Sequence, residues 1–214
     1  MENKKEKKGS ILKDALALFI VTLICAFALS YIYELTKAPI AEQNALKKEK
    51  AYQAVYPDTN PQPDEKLMSL VAETDLTTLN SSYRNVTIDE INMAYDSSNN
   101  LVGYIIQVSN KGYKDTITMT FGYTLEGKVT SVEFLALNET AGLGMNASKP
   151  EFIDQFSDKA VSQFEVTKTG ATSDDQIDAI SSATITSKAI TNAINAGIEF
   201  LNDNSTELGG GANE

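Results

Sequence analysis

Five hydroxyl side chains fall within seven consecutive positions: Ser181, Ser182, Thr184, Thr186 and Ser187, inside the run Asp178 to Asn192, DAISSATITSKAITN. The run leads into an amphipathic stretch, Ser187 to Leu201, where Ile190, Ala193, Ile194, Gly197, Ile198 and Leu201 repeat at helical spacing. A helix start leaves its first backbone N–H groups unpaired and carries a partial positive charge, so hydroxyls gathered there form an anion site suited to a phosphate. The small side chain of Ala183 lets a ligand approach the backbone. The competing interpretation is structural, with Thr186 or Ser187 simply capping the helix, as Ser and Thr commonly do.

Two shorter stretches add candidates. In Leu137 to Gly144, LNETAGLG, the glycines Gly142 and Gly144 permit tight backbone geometry, while Thr140 and nearby N–H groups can hydrogen-bond a ligand edge and Leu143 can pack on it. The bland reading is a turn with Glu139 in solvent. Asn110-Lys111-Gly112-Tyr113 puts a cation and an aromatic ring at what reads equally well as a plain hairpin turn.

Composition narrows the chemistry. The chain has no His, Cys25 is its only cysteine, and no carboxylates fall at EF-hand spacing, so the usual zinc, haem and iron–sulfur ligand sets are missing and no metal site is expected. A redox centre here would have to be organic. The formal net charge of −11 is not evenly spread, because residues 1–36 carry five lysines against Glu2, Glu6, Asp14 and Glu34, which leaves the remainder strongly acidic. An acidic domain of this kind repels nucleic acid.

The elements that must position these residues follow from the pattern. Residues 1–14 read as a cytoplasmic N-terminus, because Lys4, Lys5, Lys7, Lys8 and Lys13 precede an uncharged apolar run, Ala15 to Tyr33, long enough at about 1.5 Å per residue to nearly span a bilayer core of roughly 30 Å. A cleaved signal peptide ending at Ala26-Phe27-Ala28 competes with this reading, although the run stays apolar through Ile32 and Tyr33. Residues 34–66 read as a stalk helix, Ala41 to Tyr56, followed by a loop from Pro57 to Glu65; Leu67 to Val86 shows no clear period. Strands are predicted at Ile91–Tyr95, Leu101–Ser109, Asp115–Tyr123 and Val129–Leu137. Alternation at Val102, Tyr104, Ile106 and Val108 implies burial of one sheet face. Helices at Pro150–Phe156 and Ser187–Leu201 should cover it, which makes residues 67–202 one α+β domain built on an antiparallel meander; residues 203–214 read as a disordered, Gly-rich tail.

DAISSATITS resembles the D-x-x-S-G-A-T-x-[ST] signature of FMN-binding subunits in the Rnf ion-translocating oxidoreductase and sodium-translocating NADH:quinone reductase complexes. LNETAGLG is similar to the E-T-P-G-L-G loop of the same family, with Ala141 in place of Pro, and Asn110 to Tyr113 is similar to its G-K-G-Y turn. The resemblance implies FMN bound covalently through a phosphoester to Thr184, with Asp178, Ser181, Ala183 and Thr184 read by a flavin transferase that uses FAD. It also implies that Glu139, Thr140, Gly142, Leu143, Gly144, Ser181, Ser182, Ala183, Thr186, Ser187, Lys111 and Tyr113 lie around the flavin. Ser182 stands where the signature has Gly, and a position requiring positive φ would strain it.

The implied function is electron relay by an extracytoplasmic FMN domain, anchored in the cell membrane, within a complex that links ferredoxin and NAD to ion transport. Compact length favours the G subunit of the Rnf type over the C subunit of the quinone reductase. Two other expectations remain open from sequence: a membrane-anchored module that binds a phosphorylated ligand without redox chemistry, and a stand-alone flavinylated carrier.

Overall fold

The computed structural model describes residues 3–204, with side chains from Ile11 onward. The tail expected at residues 203–214 lies outside the described residues beyond Asn204, as do the side chains of Lys4, Lys5, Lys7 and Lys8. The chain divides into two compact units at Lys47/Lys48.

Helix α1 runs from Asn3 to Val55 and contains Pro39 in its interior, where a missing N–H removes one backbone bond. It is long and apolar enough to cross a membrane, and none of its most apolar stretch is buried in protein. Leu18, Phe19, Ile24 and Phe27 all lie exposed, which suits lipid rather than water as their solvent.

The second unit begins at Lys48, upstream of the expected domain start, because the last turns of α1 belong to its core. Ala51, Tyr52 and Val55 are buried there. The main sheet is an antiparallel meander in the order β1 (Asn60–Pro63), β2 (Val86–Tyr95), β3 (Leu101–Lys111), β4 (Thr116–Thr124) and β5 (Val129–Ala136). Strand β1 replaces part of the loop expected at Pro57–Glu65. Pro61 and Pro63 are tolerated because β1 is an edge strand, where alternate residues need not donate to a neighbour.

The segment without clear period forms α2 (Glu65–Glu73) and α3 (Leu76–Leu79). Each starts at an aspartate cap: Asp64 accepts from the N–H of Lys66 and Leu67 at 2.7 and 3.0 Å, and Asp75 accepts from Thr77 N–H at 2.9 Å. Next come α4 (Pro150–Ile153), a short parallel pair β6 (Glu165–Thr167) and β7 (Gln176–Asp178), and finally α5 (Thr184–Asp203).

Helix α5 lies against one sheet face. Ile190, Ala193, Ile194, Ile198 and Leu201 pack there with Ile106, Val108, Met119 and Phe121 in the main core. Each large side chain fully buried in this way contributes about 1.5–3 kcal/mol. Gly197 allows the close approach, since a Cβ there would sit 2.8 Å from Phe121 Cζ. Polar ties fix the helix: Asn110 Nδ2 donates to Ala189 O at 2.8 Å, and Asn195 exchanges two 2.8 Å bonds with the Phe164 backbone.

The sheet is buried on both faces rather than one. On its second face Tyr52, Val55, Ala94 and Ile105 form a smaller apolar cluster, Tyr56 OH donates to Val102 O at 2.8 Å, and Thr130 Oγ1 donates to Val55 O. Ile105 lies between Tyr104 and Ile106 in sequence, so its burial requires a layer on the opposite side from α5.

Candidate functional site

Helix α5 begins three residues earlier than the sequence pattern suggests, and no side chain caps it. The cap position is Ala183, with φ −132° and ψ 42°. The first helical bond runs from Ser187 N–H to Ala183 O at 3.0 Å, and the N–H groups of Thr184, Ile185 and Thr186 have no partner among the described residues. Capping by Thr186 or Ser187 is therefore not what starts this helix. Three aligned donors and the positive end of a 20-residue helix face the same space.

That space is a cleft of about 470 Å³ lined by Tyr113, Glu139, Thr140, Leu143, Gly144, Ser182, Ala183, Thr184, Ile185 and Thr186. Its size falls in the range of sites that take a cofactor-sized ligand. Three chain segments far apart in sequence meet there: the β3–β4 turn, the loop after β5, and the start of α5. Tyr113, Leu143 and Ile185 are 68%, 39% and 56% exposed, an apolar rim around a polar floor.

The loop after β5 has a defined geometry. Leu143 N–H and Met145 N–H both donate to Thr140 O, at 3.1 and 3.2 Å, while Asn146 Nδ2 donates to Gly142 O at 2.8 Å. Gly142 has φ +74°, the conformation that favours glycine. Gly144 is needed for space instead, because a Cβ there would lie 2.7 Å from Glu139 Cβ and 2.8 Å from Thr186 Oγ1. Glu139 is buried, not in solvent.

At the mouth of α5 the chain is tightly turned. Ala183 N–H donates to Ile180 O at 2.9 Å. Ser187 Oγ accepts from Ile180 N–H at 3.0 Å and donates to Ala183 O at 3.1 Å. Ser182 adopts φ +61°, the left-handed conformation that an L-residue enters at a cost. The strain expected from Ser in place of Gly is present in the backbone.

Of the candidate residues, Glu139, Thr140, Leu143, Gly144, Ser182, Ala183, Thr184, Thr186 and Tyr113 line the cleft. Gly142, Ser181, Ser187 and Lys111 do not. Gly142 shapes the loop and Ser187 is fully buried within the turn, whereas Ser181 and Lys111 are exposed outside the lining. Asp178 ends β7 with its backbone tied to Gln155, whose Oε1 accepts from Asp178 N–H at 2.6 Å. The Asp178 side chain is exposed and has no partner among the described residues. Ile185 was not anticipated, although an apolar residue out of phase with the buried stripe of α5 is a legible signal. No cluster of His, Cys, Asp and Glu suited to a metal is found among the described residues.

The residues present fit a flavin mononucleotide: unpartnered N–H groups and hydroxyls for a phosphate, glycine-cleared space, and apolar side chains for a planar ring. The match to a domain family agrees with that fit. The FMN-binding domain family matches residues 112–199, and the RnfG N-terminal region matches residues 1–55. The G subunit of the proton-translocating ferredoxin:NAD(+) oxidoreductase complex of Clostridium ljungdahlii is 32% identical over 148 residues, covering 68% of this chain and 80% of that one. The G subunit of the Na(+)-translocating ferredoxin:NAD(+) oxidoreductase complex of Acetobacterium woodii is 29% identical over 194 residues, covering 88% and 90%. Among solved structures, Shewanella oneidensis NqrC aligns with a TM-score of 0.46 at 18% identity, over 54% of this chain and 60% of that one.

Proposed function

Since this chain belongs to the family of RnfG subunits of ion-translocating oxidoreductase complexes, we propose that its second unit carries FMN covalently on Thr184 and relays electrons from outside the cytoplasmic membrane. The chain is an electron-transfer subunit of an ion-translocating ferredoxin:NAD oxidoreductase of the Rnf type. It binds FMN, associates with a membrane, and has the other subunits of that complex as partners. The translocated ion differs between the two relatives, proton in one and sodium in the other.

The observation that carries the covalent reading is the uncapped start of α5, where Thr184 is the first helical residue and three backbone donors lack partners. A phosphate esterified to the Thr184 hydroxyl would lie where those donors and the helix dipole stabilise its charge. FMN, when bound, supplies reversible electron transfer. Thr186, Ser182 and the backbone around Ala183 would hold the phosphate end, while Tyr113, Leu143 and Ile185 would shield the ring from water.

Attachment requires a co-reactant, which the resemblance to the family signature implies is FAD delivered by a flavin transferase. Thr184 Oγ would attack the flavin-side phosphorus, with the new O–P bond forming as the pyrophosphate bond breaks, AMP as the leaving group and the hydroxyl proton released. Asp178, exposed and unpartnered, is available to the transferase along with Ser181. The lysines ahead of the apolar run orient the N-terminus to the cytoplasm under the positive-inside rule, which would put Thr184 on the other side.

The test is the intact mass of full-length protein produced in membranes with its transferase. The expected result is one FMN added through a phosphoester on the peptide containing Thr184, and no addition in Thr184→Ala, whose fold should survive. Modification found on Thr186, or unmodified wild-type protein, overturns the assignment.

A further inference from the structure

Glu139 is the only ionisable carboxylate among the described residues that is nearly fully buried, at 4% exposure. It takes part in none of the ion pairs found there, which join Lys48 to Glu90, Lys128 to Asp158 and Lys159 to Asp174. Its sole hydrogen-bond donor among them is the backbone N–H of Lys114, at 3.2 Å to Oε1 and 3.4 Å to Oε2, long for a charge-assisted bond. The Lys114 ammonium is turned elsewhere, donating to Asn138 Oδ1 at 3.3 Å.

Two glycines from different segments make the space for this carboxylate. A Cβ at Gly112 would strike Oε1, and a Cβ at Gly144 would lie 2.9 Å from Oε2. A buried polar group with so few hydrogen-bond partners costs free energy, and one kept in that state calls for a functional account. Glu139 also lines the cleft shared with Thr184 and Thr186, so its carboxyl group borders whatever the cleft holds.

Resting on the reading of this cleft as the FMN site, we propose that Glu139 sets the redox poise of the flavin: the negative charge of its carboxylate at the cleft wall opposes electron uptake by the ring and holds the reduction potential low. The effect is electrostatic and needs no proton transfer, since an added electron raises the negative charge facing a carboxylate in a partly water-excluded site. The Lys114 N–H and the two glycines keep the Glu139 oxygens at the wall.

The experiment is a spectroelectrochemical titration of full-length, detergent-solubilised protein produced with its transferase, comparing wild type with Glu139→Gln, Glu139→Asp and Glu133→Gln. Gln keeps the shape and an acceptor for Lys114 N–H, so the fold should be retained. Glu133 is an exposed acid on β5 and controls for the same change in net charge. Glu139→Gln should move the potential to a more positive value, whereas Glu139→Asp and Glu133→Gln should stay near wild type. An unmoved potential in Glu139→Gln overturns the proposal. So does an equal shift in Glu133→Gln, which would make the effect one of net charge, or an equal shift in Glu139→Asp, which would make it one of contact shape. Wild-type protein without flavin would instead overturn the reading of the cleft on which this rests.

Discussion

Replacing Ser182 by Gly should stabilise the protein, and the backbone sets the size of the gain. Ser182 has φ +61° immediately before the α5 cap. The left-handed region costs an L-residue about 1–2 kcal/mol, which Gly avoids. Against this, Gly has more freedom to lose from the unfolded chain, at roughly 0.4–1 kcal/mol. The balance is a net gain of about 1 kcal/mol, and for a domain of this size that raises Tm by about 2–4 °C. Full-length protein in detergent, followed by circular dichroism during heating and by urea titration, measures it. The urea midpoint should rise with the slope unchanged, because the exposed surface does not differ. If Thr184 carries FMN as proposed, the amount attached should not fall, since Ser182 is one of several hydroxyl residues that line the cleft. A loss of stability would show that the Ser182 side chain makes a favourable contact outweighing its backbone strain, and the reasoning from φ would fail.

Ser187→Ala should lower stability by about 1–3 kcal/mol by leaving the Ile180 N–H without its acceptor in a buried turn, with FMN still attached; intact mass together with thermal melting checks both, and lost FMN at unchanged Tm would return Ser187 to the binding site. Glu90 gives a pH dependence: burial pushes its carboxyl up, but hydrogen bonds from Lys48 and Asn92, the Lys48 charge and the Tyr52 hydroxyl together hold it below the ordinary value of 4.5. A carboxyl depressed in the folded state contributes stability that is present above its unfolded value and lost as pH falls through the folded one. The difference in urea midpoint between wild type and Glu90→Gln should therefore shrink as pH is lowered below about 4.5, and a difference that stays constant down to pH 3 would rule that linkage out.

The meander was legible because polar turns interrupt its strands and apolar residues alternate within them. Strand β2 was read only from Ile91, although it begins at Val86, and the cause is a register shift between Ile88 and Glu90. A bulge adds one residue to one strand, so Val86 and Ile88 fall out of phase with Ile91 and the period-two pattern is lost. The second buried face was missed for a related reason. Ile105 looks anomalous among polar outward positions until the last turns of α1 supply a cover, and a helix that begins as a membrane span gives no local sign that its far end enters a domain core. Strand β1 was hidden by Pro61 and Pro63, which argue against a central strand but not against an edge.

For the site, sequence brought together the three segments that line the cleft but could not sort their hydroxyls, because direction depends on where α5 starts. Thr186 is 1% exposed and abuts the space kept open by Gly144, so an enzyme approaching from solvent cannot readily reach it. Ser187 is spent inside the turn on Ile180 and Ala183. Ser181 is accessible but lies outside the lining, which leaves Ser182 and Thr184 as the hydroxyls at the entry to α5 that are both reachable and in the cleft, facing Thr140 of the loop after β5. Ser182 precedes the cap in a left-handed conformation, whereas Thr184 is the first residue of the helix, beside the unpartnered N–H groups of residues 184–186. A phosphoester there gains the donors and the dipole without disturbing an existing bond. Accessibility and electrostatics thus favour the residue that the Asp-x-x-Ser-x-Ala-Thr spacing singles out, on grounds independent of that spacing.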